Sequence, residues 1–165
     1  MKGEKIMDKG YIGIVVEESL TDNRILNGLN ISKVHITNQI NPSDRCHLYE
    51  VNVSKEEIEE LSRSIIGRWY MHFWKDTDII AIFNDRIFEF NYEDKNTWSE
   101  VLDYGRSLGL PQEQLDFPIN IVVLLCKVHF ILNFDRTKAM RGRFAGHLIS
   151  HYRHCYKINI AEPVE

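Results

Sequence analysis

Hydrophobic and polar residues form their clearest pattern between residues 69 and 90, WYMHFWKDTDIIAIFNDRIFEF. Three short runs rich in aromatic and β-branched residues favour strands. The pair Asn84-Asp85 is typical of a two-residue hairpin turn, and residues 75–78 are typical of a four-residue turn. The pattern therefore predicts three consecutive antiparallel strands.

The two turns determine which residues of neighbouring strands lie opposite each other. The expected pairs are Trp74 with Ile79, Phe73 with Ile80, His72 with Ala81, Phe83 with Arg86, Ile82 with Ile87, Ala81 with Phe88 and Ile80 with Glu89. Because side chains alternate across a sheet, one face is expected to carry Trp69, Met71, Phe73, Ile80, Ile82 and Ile87. The opposite face, called the aromatic face below, is expected to carry Tyr70, His72, Trp74, Ile79, Ala81, Phe83, Phe88 and Phe90.

Other segments complete the predicted fold. Apolar runs predict further strands at residues 11–17, 25–37 and 46–53. Two helices are expected, each introduced by a hydroxyl residue and a glutamate three positions later, which together cap a helix start; these pairs are Ser54 with Glu57 and Thr97 with Glu100. The order predicts an α+β protein with both helices on one face of an antiparallel sheet, a ferredoxin-like sandwich. The aromatic face would then be open.

Three motifs of the chain resemble those of a family of small, uncharacterised prokaryotic proteins. They are Gly13–Leu20 (GIVVEESL), Trp69-Tyr70-x-x-Phe73, and residues 104–117 (YGRSLGLPQEQLDF). The resemblance covers residues 11 to about 118. It implies a compact cytoplasmic domain, and it brings no activity, ligand or catalytic residue with it.

The charge distribution indicates a boundary at the same place. The net charge is -4; residues 1–118 hold 13 Lys and Arg against 21 Asp and Glu, which gives -8, and residues 119–165 hold 7 against 3, which gives +4. We expect a flexible N-terminus over 1–10, an α+β domain over 11–118, and an extension over 119–165 that packs on the domain or on a partner. Three widely separated cysteines and a charged N-terminus favour a cytoplasmic protein without a signal peptide.

The extension is predicted to contain one strand and one helix. Residues 119–134 alternate so as to give one apolar face, and the run is too short and too interrupted by charge for a membrane span. This strand could cover the aromatic face. A helix is expected after Asp135, which is a suitable N-terminal cap.

The aromatic face determines the functional interpretation. Large apolar patches rarely stay exposed, so the expected partner-binding residues are Tyr70, His72, Trp74, Phe83 and Phe88. We therefore expect a non-enzymatic binding or adaptor module, or a self-associating homo-oligomer, that needs no cofactor. His72 either marks a ligand site or is hydrogen-bonded beneath whatever covers the sheet.

Two other classes of function depend on the extension. Sheet aromatics could stack on bases while basic residues contact phosphates, and those basic candidates are Arg136, Lys138, Arg141, Arg143 and Arg153. The net charge of -8 on residues 1–118 opposes nucleic-acid binding. An enzyme or metal protein would use His72 or the group His147, His151, His154 and Cys155. The sequence contains no GxSxG, HExxH, CxxC or phosphate-loop motif to support it.

We expect that His147, His151, His154 and Cys155 bind no structural metal. A structural zinc site needs four convergent ligands, and one helix readily places two on a common face. Elemental analysis of protein purified without a histidine tag checks this. Near-stoichiometric zinc that disappears in the His147→Ala, His151→Ala double variant would contradict it.

Overall fold

A computed structural model describes residues 10–125 of the chain. The chain divides into two compact units between Ile121 and Val122, and every strand and helix labelled below lies before that point. The strands are β1 (Tyr11–Val16), β2 (Asn30–Ile36), β3 (His47–Val53), β4 (Met71–Lys75), β5 (Asp78–Phe83) and β6 (Arg86–Asn91). The helices are α1 (Lys55–Ser64) and α2 (Ser99–Ser107). The expected flexible N-terminus, apart from Gly10, and the expected helix after Asp135 lie outside the described residues.

The strands form one open, six-stranded antiparallel sheet in the order β2-β3-β1-β4-β5-β6. Strand β1 therefore lies in the middle, between β3 and β4, and β2 and β6 form the two edges of the described sheet. The expected α+β class with an antiparallel sheet is confirmed. The ferredoxin-like arrangement is not confirmed, because the elements follow one another as three strands, a helix, three strands and a helix.

The register predicted between residues 72 and 89 is confirmed pair by pair. Phe73 lies opposite Ile80, and Ala81 lies opposite both His72 on one side and Phe88 on the other. Asp76 and Asp85 adopt left-handed backbone conformations, with φ of 54° and 55°. Short polar residues accept that conformation in tight turns, so local turn chemistry is sufficient to set this register.

Helix α1 covers the face opposite the aromatic face. It starts with the predicted reciprocal cap, in which Ser54 Oγ accepts from Glu57 N at 3.3 Å and the Glu57 carboxylate accepts from Ser54 N at 2.7 Å. The apolar stripe of the helix, Ile58 and Leu61, is fully buried in one cluster with Phe73 of β4 and with Ile80 and Ile82 of β5. This cluster forms the core between α1 and the sheet.

Helix α2 lies on the opposite side of the sheet, so the expectation that both helices share one face was wrong. The Tyr104 ring contacts the rings of Phe83 and Phe88, with centroid distances of 5.1 and 5.3 Å. Both faces of the β4–β6 meander are apolar, and each must be shielded from water. One helix on each face meets that need.

The predicted cap of the second helix is also wrong. The chain first forms a 3-10 helix, Lys95–Trp98, and α2 begins only at Ser99, without a side-chain cap. The Thr97 hydroxyl accepts from Asn91 N at 3.0 Å and donates to Asp94 O at 2.6 Å. Thr97 therefore bonds to the end of β6 and the adjoining turn instead of capping the helix.

Two predicted strands differ from the structure within the described residues. The strand expected over residues 25–37 is divided into a 3-10 helix, Asn23–Gly28, and β2, because the Asp22 carboxylate accepts from Arg24 N and starts a helical turn. Residues 121–125, at the start of the strand expected over 119–134, are helical. A short apolar run fits a buried strand or a helix equally well, and its periodicity does not distinguish them.

We expect Gly13→Ala to lower the free energy of unfolding by about 1–3 kcal/mol. A Cβ atom on Gly13 would lie 2.4 Å from Phe73 Cδ1 and 2.8 Å from the His72 carbonyl oxygen, in the centre of the sheet. Gly28→Ala is the matched control, because a Cβ there meets no atom within 4 Å. Urea unfolding of both variants checks the prediction, which equal stability losses would contradict.

Candidate functional site

The structure brings the five expected partner-binding residues together. Tyr70 stacks on Phe83 at 5.4 Å between ring centroids, Phe83 meets Phe88 edge-on at 5.8 Å, and His72 lies 5.9 Å from Trp74. These five residues are much less exposed than residues on an open surface. His72, Trp74 and Phe83 are buried, and Tyr70 and Phe88 are half-buried.

The cover over this cluster is α2 together with residues 115–118. Phe117, with no exposed surface, lies at its centre. Its ring packs against four others at centroid distances of 5.0–5.9 Å, those of Tyr70, His72, Phe90 and Trp98. The aromatic face is therefore a second core layer, and a partner would reach His72 or Phe83 only by displacing this cover.

His72 has a definite role within that layer. Its Nε2 lies 2.8 Å from the carbonyl oxygen of Pro118. A carbonyl oxygen can only accept, so Nε2 carries the hydrogen and donates it. The Tyr70 hydroxyl donates in the same way to the carbonyl of Gln114. Both side chains hold the covering segment against the sheet, which corresponds to the second of the two interpretations offered for His72.

A polar cluster that the sequence did not indicate joins the end of β1 to β3. The Tyr49 hydroxyl donates to Glu17 Oε2 at 2.6 Å, and Glu18 accepts from His47 N at 3.0 Å. The Tyr49 hydrogen bond lowers the pKa of Glu17, and the same bond raises the pKa of Tyr49 to about 12. Because these groups bond mainly to one another, the cluster serves to connect β1 with β3.

A cleft of about 260 Å³ lies between the edge strand β6 and the start of α2. Residues 86–90 form one wall, and Thr97, Glu100 and Val101 form the other. The cleft therefore follows most of the length of β6. This arrangement could not be anticipated from the sequence, because it depends on α2 crossing the aromatic face.

The backbone direction of β6 makes this cleft a candidate site. Asn91 N donates to the Thr97 hydroxyl at 3.0 Å, and Asn91 O accepts from Trp98 Nε1 at 2.7 Å, so the peptide groups of Asn91 point away from β5. Backbone direction repeats every second residue in an antiparallel ladder. The N–H and C=O groups of Ile87 and Glu89 therefore also point outward, along the open edge.

The metal, membrane and nucleic-acid hypotheses gain no site within residues 10–125. In that range no cluster of three or more His, Cys, Asp or Glu side chains is arranged to hold a metal ion. No helix of the described part has both the length and the apolar character needed to cross a bilayer. The tail cations Arg136, Lys138, Arg141, Arg143 and Arg153, and the group His147, His151, His154 and Cys155, lie outside the described residues.

Comparisons with protein-family models, with curated proteins and with solved structures find no match for this chain. The resemblance to a family of small prokaryotic proteins thus stays a prediction. What the geometry defines is an α+β domain with an open antiparallel sheet and a cleft along one edge.

We expect His72→Leu to destabilise the protein more than His72→Gln. Leucine cannot donate, so it leaves the buried Pro118 carbonyl unpaired at a cost of about 1–3 kcal/mol, whereas glutamine retains an N–H donor. Urea unfolding gives the difference, and binding of a hydrophobic dye reports whether residues 115–118 detach. Equal losses in both variants would show that the hydrogen bond does not hold the cover.

Proposed function

We propose that this protein is a non-enzymatic binding module that takes an extended segment of a protein partner as an additional strand beside β6. The observation that supports this is the outward direction of the Ile87 and Glu89 peptide groups along the cleft. The widely spaced cysteines favour a cytoplasmic location for such a module.

Strand addition fits the chemistry of this edge. An added strand gains affinity from main-chain hydrogen bonds and specificity from contacts with alternate side chains. Ile87 and Glu89 present donors and acceptors at the spacing of an antiparallel ladder. On one side of the new strand lies the exposed side chain of Ile87, and on the other lies the cleft wall, which includes Phe88 and Val101.

The length of the docking segment is limited at one end. The 3-10 helix Lys95–Trp98 already occupies the outward groups of Asn91. A partner strand would therefore bond to the N-terminal and middle parts of β6. A short extended peptide is sufficient for such an edge.

The proposal keeps the expected class of function and assigns it a different surface. His72, Trp74 and Phe83 are covered, and their contribution is indirect. With Phe117 and Tyr104 they hold α2 in place, and α2 is the far wall of the cleft.

Selection from a displayed library of random octapeptides tests the proposal on the full chain. We expect peptides that bind the native protein and whose affinity for the Ile87→Pro variant is lower by a factor of about ten or more. Proline removes the outward N–H and places its ring in the path of the added strand. The N–H of Ile87 does not bond to β5, so the fold is expected to tolerate this change.

Ile87→Thr is the matched control, since it keeps the backbone N–H and a β-branched side chain. Near-ultraviolet circular dichroism confirms that both variants are folded. Selected peptides that bind Ile87→Pro as well as the native chain, or a library that yields no binding peptide, would overturn the proposed function.

A further inference from the structure

The opposite edge strand, β2, exposes apolar side chains in an unusual way. Val34 and Ile36 are 47% and 53% exposed, and both are β-branched. Edge strands usually carry lysines, bulges or prolines that prevent pairing with another chain. In β2 the irregular register lies between Ile31 and Lys33, and the lysine is Lys33 itself. Both protective features, the irregularity and the lysine, therefore precede Val34.

The peptide groups of Val34 and Ile36 also point away from the sheet. Thr37 lies beyond the end of β2, and its N–H donates to Cys46 O at 3.0 Å, so the peptide groups of Thr37 face the β3 side. The alternation of an antiparallel ladder then directs His35 toward β3 and directs Val34 and Ile36 outward. The same two residues thus offer both open hydrogen-bonding groups and exposed apolar side chains.

This short segment is complementary to itself. We propose that two copies of the chain pair through antiparallel β2 strands about a two-fold axis at His35. In that register Val34 lies opposite Ile36 of the second copy, and Ile36 lies opposite Val34. Both pairs are of the hydrogen-bonded kind, in which the residues exchange two bonds.

The side chains on both faces suit this register. Val34 and Ile36 lie on the same face of the sheet, and on that face Val34 is next to Tyr49 of β3. The two cross-copy pairs therefore form one apolar strip on that face. On the other face the two His35 side chains lie opposite each other. Each His35 is bound by Glu50 of its own chain, so a carboxylate on the β3 side accompanies each imidazole and offsets repulsion between the two rings at the axis.

A closed dimer follows from the symmetry. An isologous contact uses the same patch on both copies and ends there, whereas pairing of β2 with β6 of another copy would continue as an open chain. The two six-stranded sheets become one continuous sheet, with β6 at each outer end. The inference is independent of the proposed function because it concerns the opposite edge.

Light scattering coupled to size-exclusion chromatography of the full chain, over a dilution series, tests the pairing. We expect a species of twice the 19.4 kDa chain mass that becomes monomeric in the Val34→Lys, Ile36→Lys double variant. The register would set those lysines against each other, and both positions are exposed, so folding is expected to be retained. Ile40→Lys is the matched control, since Ile40 is 97% exposed but lies outside β2 and is expected to leave the dimer intact.

A cysteine at the axis tests the register itself. His35→Cys, in a chain with Cys126 and Cys155 changed to serine, is expected to form an intermolecular disulfide on mild oxidation, because directly opposed residues bring their Cβ atoms within bonding range. Ser32→Cys in the same background is expected to form none.

A native chain that is monomeric throughout, or a dimer that persists in the double lysine variant, would overturn the pairing. A dimer that the lysines dissociate but that gives no disulfide at position 35 would overturn the axis at His35.

Discussion

Burial of two apolar faces is the constraint on which the rest of this structure depends. Strand β5 is apolar at five consecutive positions, residues 79–83, so neither side of the sheet can face water there. Helix α1 covers one side through Ile58 and Leu61. Helix α2 and Phe117 cover the other, and the hydrogen bond from His72 to Pro118 holds that cover in place. The domain thus has three layers, helix, sheet and helix, with aromatic packing in one of them.

Within residues 10–125, covering both faces leaves only the edges of the sheet open, and the two edges are chemically different. Beside β6 the backbone groups open onto a cleft with a helical wall, whereas β2 has exposed β-branched residues. The first arrangement suits a short peptide that contacts both strand and helix. The second suits a flat, symmetric partner. The two edges of one sheet therefore differ in both shape and chemistry.

Local chemistry explains which features could be predicted from the sequence. The hairpin register depended on the turns at Asp76 and Asp85, and the start of α1 depended on Ser54 and Glu57, so both were determined by residues close by in the sequence. The side chosen by α2 could not be predicted, because two equally apolar faces offer no preference. A hydrogen-bonded His72 beneath a cover was one of the two interpretations of the sequence, but its partner could not be predicted, since Pro118 lies 46 residues further along the chain. The same holds for Tyr49 and Glu17, which meet only because β1 pairs with β3.

The position of β1 has a consequence for how the chain acquires this fold during synthesis. β1 is synthesised before the other five strands of this sheet, yet Tyr11 can pair only when Val53 has been made, and Gly13 only when Phe73 has been made. Until then the growing chain carries an apolar strand with one or both edges unpaired, a form prone to association with other nascent chains. Synthesis of β3 therefore shields one edge of β1, and only synthesis of β4, in the second half of the domain, shields the other.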